Sequence, residues 1–145
     1  MLDLITAITP LFLTGVFVFG LLVGSFLNVV ILRLPARLEH EWHQQCRELL
    51  DIENPTAEQA RQPPSIMWSR SECPKCRHLI RSYENIPLLS YLYLKGRCSA
   101  CKARISIRYP IIELTTATLF LVIAIHFGPN VQMLAAIGLT AFLIA

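Results

Sequence analysis

The stretch "CPKCRHLIRSYENIPLLSYLYLKGRCSACK" occupies residues 73–102 and decides how the polar part of this chain folds. It contains two Cys-x-x-Cys pairs, Cys73/Cys76 and Cys98/Cys101, separated by residues 77–97. Two such pairs about 20 residues apart are typical of a zinc ribbon, in which each pair forms a tight knuckle and four thiolates surround one ion at about 2.3 Å. Iron in a rubredoxin-like site, a redox dithiol and a metal-free loop are the alternatives.

Four cysteine ligands close the coordination shell, so a zinc ion here is expected to be structural rather than catalytic. Such an ion contributes on the order of 10 kcal/mol to the folding of a small module. That contribution is needed, because a loop of this length cannot bury a core of its own. Cys46 fits neither pair and is predicted to be a spare thiol on a helix. Basic side chains that offset thiolate charge flank the pairs: Lys75, Arg77, Arg97 and Lys102.

The rest of the chain has the composition of a membrane protein. Of its 145 residues 54% are hydrophobic, and the mean hydropathy is +0.50. Residues 11–32 carry no charge and are long enough, at about 1.5 Å per residue, to cross a hydrocarbon core of about 30 Å. A cleaved signal peptide is not supported, since no Lys or Arg precedes this run and no small-x-small cleavage site follows it.

The sequence therefore predicts an all-α polytopic membrane protein with a cytoplasmic zinc-ribbon-like loop and three transmembrane helices, the third incomplete. Fifteen apolar residues at the end of the chain do not cross a bilayer, so we expect a fragment of a longer protein. Pro35 is expected to separate the first span from a charged helix. The predicted parts are an outer tail (1–10), transmembrane helix 1 (11–32), a cytoplasmic helix and linker (33–68), the zinc-ribbon-like domain (69–107), transmembrane helix 2 (111–127) and the start of transmembrane helix 3 (131–145).

The basic residues predict the orientation. All 13 Lys and Arg residues lie between Arg33 and Arg108, and the positive-inside rule then places this loop in the cytoplasm and the N-terminus outside. A reducing compartment argues against structural disulfides. The net charge of +3 is expected to reflect topology and contact with anionic membrane lipids. Nucleic acid is not an expected partner, because no basic stripe with interleaved aromatics is present.

Two polar residues inside apolar segments are candidate binding residues. Asn28 follows a Gly-x-x-x-Gly pair, Gly20 and Gly24, which predicts close helix packing; Asn28 either belongs to that packing or lines a polar cavity. Glu113 is expected in the first turn of the second span, either as an end-cap charge favourable to the helix dipole or as a buried acid paired with Arg33 or Arg108. The sequence shows no internal repeat, no glycine-rich phosphate loop and no Ser-His-Asp arrangement.

Three segments together resemble the N-terminal half of the type IV prepilin peptidases, the bifunctional prepilin leader peptidase/N-methyltransferases. They are "GSFLNVVILRLP" (24–35), "CPKC…ENIPLLSYLYLKGRCSAC" (73–101) and "ISIRYPIIELTT" (105–116). The resemblance implies an enzyme of the bacterial inner membrane that serves type IV pili and type II secretion. Its substrates are prepilins and pseudopilins, whose leader it cuts after a glycine and whose new N-terminus it methylates with S-adenosylmethionine.

The resemblance also implies an aspartic protease whose two catalytic aspartates lie beyond residue 145. The Asp residues of this chain, Asp3 and Asp51, sit in no family peptidase motif, so we expect no catalytic peptidase residue here and no prepilin cleavage by the chain alone. The resemblance assigns the metal to the four paired cysteines, with zinc as the structural cofactor. It ties the ribbon to methyl transfer, with Lys95 and Gly96 as candidates, while a plain turn glycine is the alternative for Gly96.

Further expectations concern substrate binding and competing functions. Glu72, Glu84 or Glu113 could meet a basic prepilin leader, and Asn28 could hydrogen-bond a substrate helix in the bilayer. A non-catalytic membrane-anchored zinc ribbon that binds pilin precursors, as a remnant or adaptor, is the alternative to the enzyme. A quinone-linked dithiol oxidoreductase is a third hypothesis, which the placement of Lys and Arg opposes.

Overall fold

A computed structural model describes residues 2–50, 65 and 70–145, with the side chains of residues 2–8 and 82 left aside. The helices are α1 (Leu2–Leu49), a 3₁₀ turn (Ser82–Asn85), α2 (Leu89–Tyr93), α3 (Arg108–Phe127) and α4 (Val131–Ile144). The all-α prediction is confirmed for this part of the chain. Of the predicted cytoplasmic helix and linker (33–68), residues 51–64 and 66–68 lie outside the described residues.

The chain divides into two compact units, Met1–Asn28 with Ser71–Ala145, and Val29–Arg70. In the second unit α1 continues as a polar helix whose Trp42 is exposed, and the Arg33 guanidinium donates to the carbonyl oxygen of Ser65. The prediction that Pro35 separates two helices is wrong. Helix-favouring residues, mostly Arg, Leu, Glu and Gln, follow Pro35, and α1 runs through the position despite its missing N–H.

Among the described residues, two helices are long and apolar enough to cross a membrane, Thr9–Leu49 within α1 and Arg108–Phe127. The first contains the predicted span 11–32, and the second contains the predicted span 111–127. Helix α4 is apolar but has 14 residues, about 21 Å at 1.5 Å per residue, which is shorter than a hydrocarbon core. The third span therefore stays a prediction.

The first unit is organised by close contact between α1 and α3. A Cβ on Gly20 would lie 2.6 Å from the Cα of Ala117, and one on Gly24 would lie 2.7 Å from the Cα of Glu113. The two backbones can approach this closely because both glycines lack a side chain, so the packing role predicted for the Gly-x-x-x-Gly pair is confirmed. The aromatic rings of Phe19 and Phe120 extend the contact, with centroids 6.1 Å apart.

Local sequence explains where α3 begins and where it ends. Pro110 is the third residue of the helix, where its missing N–H leaves no intrahelical bond unmade. Gly128, at φ 67°, ends the helix and donates its N–H to the carbonyl of Ala124. Asn130 then begins α4 by accepting the N–H of Met133 at 2.9 Å. Helix α4 packs back on α3 across this short connection.

The helix boundary also corrects the position of Glu113. Because α3 begins at Arg108, Glu113 is its sixth residue and lies outside the first turn. The prediction of an end-cap charge at the N-terminus is therefore wrong. Glu113 is instead a buried residue on the side of α3 that meets Gly24.

The contact between α1 and α3 can be tested with a single methyl group. Gly24→Ala should destabilise the chain by about 1–3 kcal/mol, because the added Cβ would overlap backbone atoms of α3 that cannot rotate away. Loss of helical circular dichroism during titration of the detergent-solubilised chain with dodecyl sulfate measures the effect. Gly15→Ala is the matched control, since a Cβ there meets nothing within 4 Å. Equal stability of the two variants would contradict the packing described.

Candidate metal centre

The first cysteine pair forms a small hairpin. The N–H of Cys73 donates to the carbonyl of His78 at 2.9 Å, and the N–H of Arg77 donates back to the carbonyl of Cys73 at 2.8 Å. An isolated bridge joins Glu72 to Leu79. Each bond brings the start and end of the Cys-x-x-Cys turn together, so the two thiols of the pair point to one side.

The second pair repeats this arrangement 25 residues later. The N–H of Cys98 donates to Ala103 at 2.8 Å, the N–H of Lys102 donates to Cys98 at 3.1 Å, and a bridge joins Arg97 to Arg104. Residues 71–80 and 96–105 are thus two copies of one knuckle. The two knuckles predicted from the cysteine spacing are confirmed, and they share a backbone pattern but little sequence beyond their cysteines.

Each knuckle closes with a residue in the left-handed region. Arg77 follows the first pair at φ 56° and Lys102 follows the second at φ 58°. For a residue other than glycine this conformation costs about 1–2 kcal/mol. Its presence at equivalent positions of both knuckles indicates that the convergence of the thiols holds the turns in shape.

The two knuckles bring four sulfur atoms together. The Sγ atoms of Cys73, Cys76, Cys98 and Cys101 all lie within 4.8 Å of one another, and those of Cys73 and Cys101 are 3.8 Å apart. A tetrahedron with metal–sulfur bonds of about 2.3 Å has sulfur–sulfur edges of about 3.8 Å. All five cysteines are free, and Cys46 is not part of this cluster. The four thiols could therefore hold a metal ion.

Backbone N–H groups stabilise the ionised form of the Cys73 thiol. The N–H groups of Cys76 and Lys75 lower the pKa of Cys73 to about 6, which favours its thiolate form. Metal ions bind the thiolate form, and a pre-ionised ligand favours capture. Cys73 and Cys98, the first cysteine of each pair, are buried, whereas Cys76 and Cys101 are exposed.

Glu84 connects the two knuckles and was not predicted to do so. Its carboxylate accepts the N–H of Arg81 at 2.9 Å, lies 3.5 Å from Nε2 of His78 and is hydrogen-bonded by the side chain of Ser99. The Arg81 and Ser99 hydrogen bonds lower the pKa of Glu84. Glu84 therefore binds groups inside the ribbon and is not presented to a basic substrate. Glu72, in contrast, is exposed.

Lys95 and Gly96 form the turn that enters the second knuckle. Both have positive φ, 50° and 65°, and the N–H of Arg97 donates to the carbonyl of Leu94 across them. A Cβ on Gly96 would lie 2.8 Å from the hydroxyl oxygen of Tyr91. Gly96 is thus required by its conformation and by the tyrosine packed on it, which supports the alternative of a turn glycine. The Lys95 side chain is exposed.

The polar residues of the two spans bind backbone atoms. Asn28 is buried and donates to the carbonyl oxygens of Gly24 at 3.3 Å and Tyr109 at 3.1 Å, which ties α1 to α3. The Glu113 carboxylate accepts the N–H of Leu88 at 2.8 Å. In the described part of the chain its partners are this amide and the side chain of Ser25, not the guanidinium of Arg108. Neither residue is presented to a substrate helix in this arrangement.

A family model described as the bacterial peptidase A24 N-terminal domain matches residues 18–127. The chain belongs to this family. The match contains Gly20 and Gly24, the four paired cysteines and all of α3. It also accounts for the resemblance to prepilin peptidases carried by residues 24–35, 73–101 and 105–116.

Curated relatives agree with the A24 assignment. A prepilin leader peptidase/N-methyltransferase of Aeromonas salmonicida (strain A449) is 47% identical over 145 residues, which cover 100% of this chain and 50% of that protein. One of Pseudomonas putida is 48% identical over 134 residues, 92% of this chain and 45% of the relative. One of Pseudomonas aeruginosa is 46% identical over 145 residues, again 100% of this chain and 49% of the relative. The chain spans about half the length of the curated relatives it matches. No solved structure matches it.

The four thiols are predicted to bind about one zinc ion per chain. Elemental analysis of the purified protein should find it, and Cys98→Ser should abolish it, because three thiolates and a hydroxyl give a weaker site. Cys46→Ser is the control and should retain the metal, since Cys46 lies outside the cluster. Iron in place of zinc, or full metal content in Cys98→Ser, would show the assignment to be wrong.

The turn at Gly96 is predicted to limit the stability of the ribbon. Gly96→Ala should accelerate zinc release to a chelator by several-fold or more, because the methyl group meets the Tyr91 ring and the left-handed conformation costs about 1 kcal/mol. Lys95→Ala keeps the backbone and should release zinc at the wild-type rate. If Gly96→Ala also matched the wild type, the close contact with Tyr91 would not be real.

Proposed function

We propose that this chain forms the N-terminal membrane part of a prepilin leader peptidase/N-methyltransferase, with its cysteine ribbon bound to a structural zinc ion. The observation that carries the proposal is 47% identity across the entire chain to a curated relative of that name. The convergence of the four thiols supports zinc in particular, because four thiolates in tetrahedral array are a typical ligand set for this metal.

In this proposal the ribbon serves the methyl-transfer half of the activity. When bound, S-adenosylmethionine would supply the methyl group for the new N-terminus of the pilin. The exposed Lys95 ammonium could meet the carboxylate of that cofactor, whereas Gly96 contributes the shape of the turn that presents Lys95. Zinc itself takes no part in the chemistry, since four thiolates leave it no open position for water or substrate.

We assign the peptidase step to residues outside this sequence. An aspartic peptidase needs two carboxylates close enough to share a proton. Within residues 11–32 and 111–127, Glu113 is the one carboxylate, and it is buried with a backbone N–H as its partner. Glu113 and Asn28 are therefore proposed to hold the scaffold together rather than to bind the prepilin.

A chimera provides the functional test. Residues 1–145 of this chain replace the matching half of the Aeromonas salmonicida relative, and the hybrid is expressed in a bacterium that lacks its own prepilin peptidase. Mass spectrometry of the pilin should show both removal of the leader and methylation of the new N-terminus. The 145-residue chain expressed alone should leave the leader in place.

A matched pair of variants makes the chimera informative about the ribbon. The Cys98→Ser hybrid should lose methylation, and the Cys46→Ser hybrid should keep both modifications. A wild-type hybrid that neither cleaves nor methylates, while the chain alone still co-purifies with a prepilin, would contradict the enzyme proposal and favour a non-catalytic adaptor.

The proposal also places the chain in the inner membrane, with the ribbon in the cytoplasm and the N-terminus outside. Confinement of all 13 Lys and Arg residues to positions 33–108 supports this orientation. An impermeant thiol reagent should label Cys46 after lysis and not in intact cells. In a Cys46→Ser background, Pro129→Cys in the exposed α3–α4 connection should be labelled in intact cells. Labelling of Cys46 before lysis would reverse the orientation.

A further inference from the structure

Helix α2 presents an apolar edge that is mostly exposed. None of its residues is buried, and Leu89, Leu92 and Tyr93 are 65%, 67% and 87% exposed. These three are spaced i, i+3 and i+4, so they share one face of the helix. Contiguous exposed apolar side chains of this size mark a contact surface for a partner or a membrane. We call this face the α2 edge.

The hydrogen bond between Leu88 and Glu113 fixes the depth of the α2 edge. Leu88 immediately precedes α2 and donates its N–H to Oε2 of Glu113 at 2.8 Å. Glu113 lies five residues after the start of α3 at Arg108, about 7.5 Å along the helix axis at 1.5 Å per residue. The headgroup layer on each side of a bilayer is about 5–8 Å thick. The 20 residues of α3, about 30 Å long, cross a hydrocarbon core of about 30 Å only when α3 enters the acyl region near its first residue. In a membrane-spanning α3, the start of α2 therefore lies in the upper acyl chains, within about one headgroup thickness of the headgroup boundary.

Exposed apolar side chains also lie near Glu113 on α3. Ile107 and Ile111, at the beginning of α3, are 64% and 53% exposed, and Leu114 is exposed one turn further along. These residues lie within one to two turns of Glu113, the residue that holds α2. The same environment that covers the outer face of a membrane-spanning α3 is therefore available to the α2 edge.

The charged residues of the segment that contains α2 indicate what kind of surface the α2 edge meets. Residues 85–112 contain no Asp or Glu, and the carboxylates on either side of this segment, Glu84 and Glu113, already accept backbone N–H groups. The segment contains five basic residues, all of them exposed: Lys95, Arg97, Lys102, Arg104 and Arg108. Apolar and aromatic side chains together with an excess of cations are typical of elements that lie on membranes with anionic lipids.

We propose that α2 is a membrane-surface anchor. The α2 edge lies among the headgroups and upper acyl chains of the leaflet that α3 enters, and the neighbouring basic side chains contact anionic lipid phosphates. The ribbon is then attached at two places, to α3 through Glu113 and to lipid through α2. This holds the cysteine site close to the membrane surface. The proposal rests on α3 spanning the bilayer.

Quenching of tryptophan fluorescence by brominated lipids tests the anchor. The chain, with Trp42 and Trp68 replaced by Phe, is reconstituted into nanodiscs of anionic lipids brominated at an upper acyl position. Leu92→Trp should be quenched at least twofold more strongly than Leu79→Trp. Leu79 is the matched control, since it is an exposed leucine of the same ribbon that lies beside Glu72, outside the acid-free segment.

A third variant separates failure of the anchor from failure of its premise. Leu119→Trp, near the middle of α3, should be quenched by lipids brominated deep in the acyl chains. Quenching at position 119 without quenching at position 92 would overturn the anchor and leave the span intact.

In that case, acrylamide would report what covers the α2 edge. Access of acrylamide to the indole introduced by Leu92→Trp would show that the edge is open to water, and protection from acrylamide would show that protein covers it. Equal quenching at positions 79 and 92 would also overturn the specific role of α2, and absence of quenching at position 119 would remove the premise.

Discussion

The ribbon depends on one constraint, the convergence of four thiols from two separate turns. Residues 71–80 and 96–105 each form a knuckle with only a few backbone hydrogen bonds, and neither buries an apolar core. The sulfur atoms, within 4.8 Å of one another, are the point at which the two turns meet, and Glu84 adds a polar link between them. A metal ion bound at that point would make the intervening segment, including α2 and the Lys95–Gly96 turn, a defined structure rather than a free loop.

A second constraint connects this ribbon to the membrane helices. Gly20 and Gly24 allow α1 and α3 to approach closely, and that approach buries Asn28 and Glu113 between them. Each of these side chains then satisfies a backbone group, the carbonyl of Tyr109 and the N–H of Leu88. In a hydrocarbon environment an unsatisfied polar group costs several kcal/mol, so these bonds are expected to be well populated. The glycines thus permit the helix contact that buries Glu113, the residue to which Leu88 of the ribbon is hydrogen-bonded.

Much of this could be predicted from particular residues. The cysteine spacing identified the cluster because two Cys-x-x-Cys pairs have few other physical uses, and the Gly-x-x-x-Gly pair identified the packing face of α1. The role of Glu84 and the bond from Leu88 to Glu113 could not be predicted, because each joins residues whose approach depends on the folded turns. The continuity of α1 through Pro35 was missed because a proline lowers the stability of a helix without ending it when strong helix formers follow. The two knuckles were predicted from the cysteines, but the close match of their backbone hydrogen bonds could not be, because it does not depend on side-chain identity.

The central claim is that four cysteines form a single closed metal site that organises the ribbon. X-ray absorption at the zinc edge of the purified protein measures this directly. The account predicts four sulfur neighbours at about 2.3 Å and no nitrogen or oxygen in the first shell. A shell of two sulfurs with nitrogen or oxygen neighbours would contradict it, since it would mean that the two knuckles do not share one ion.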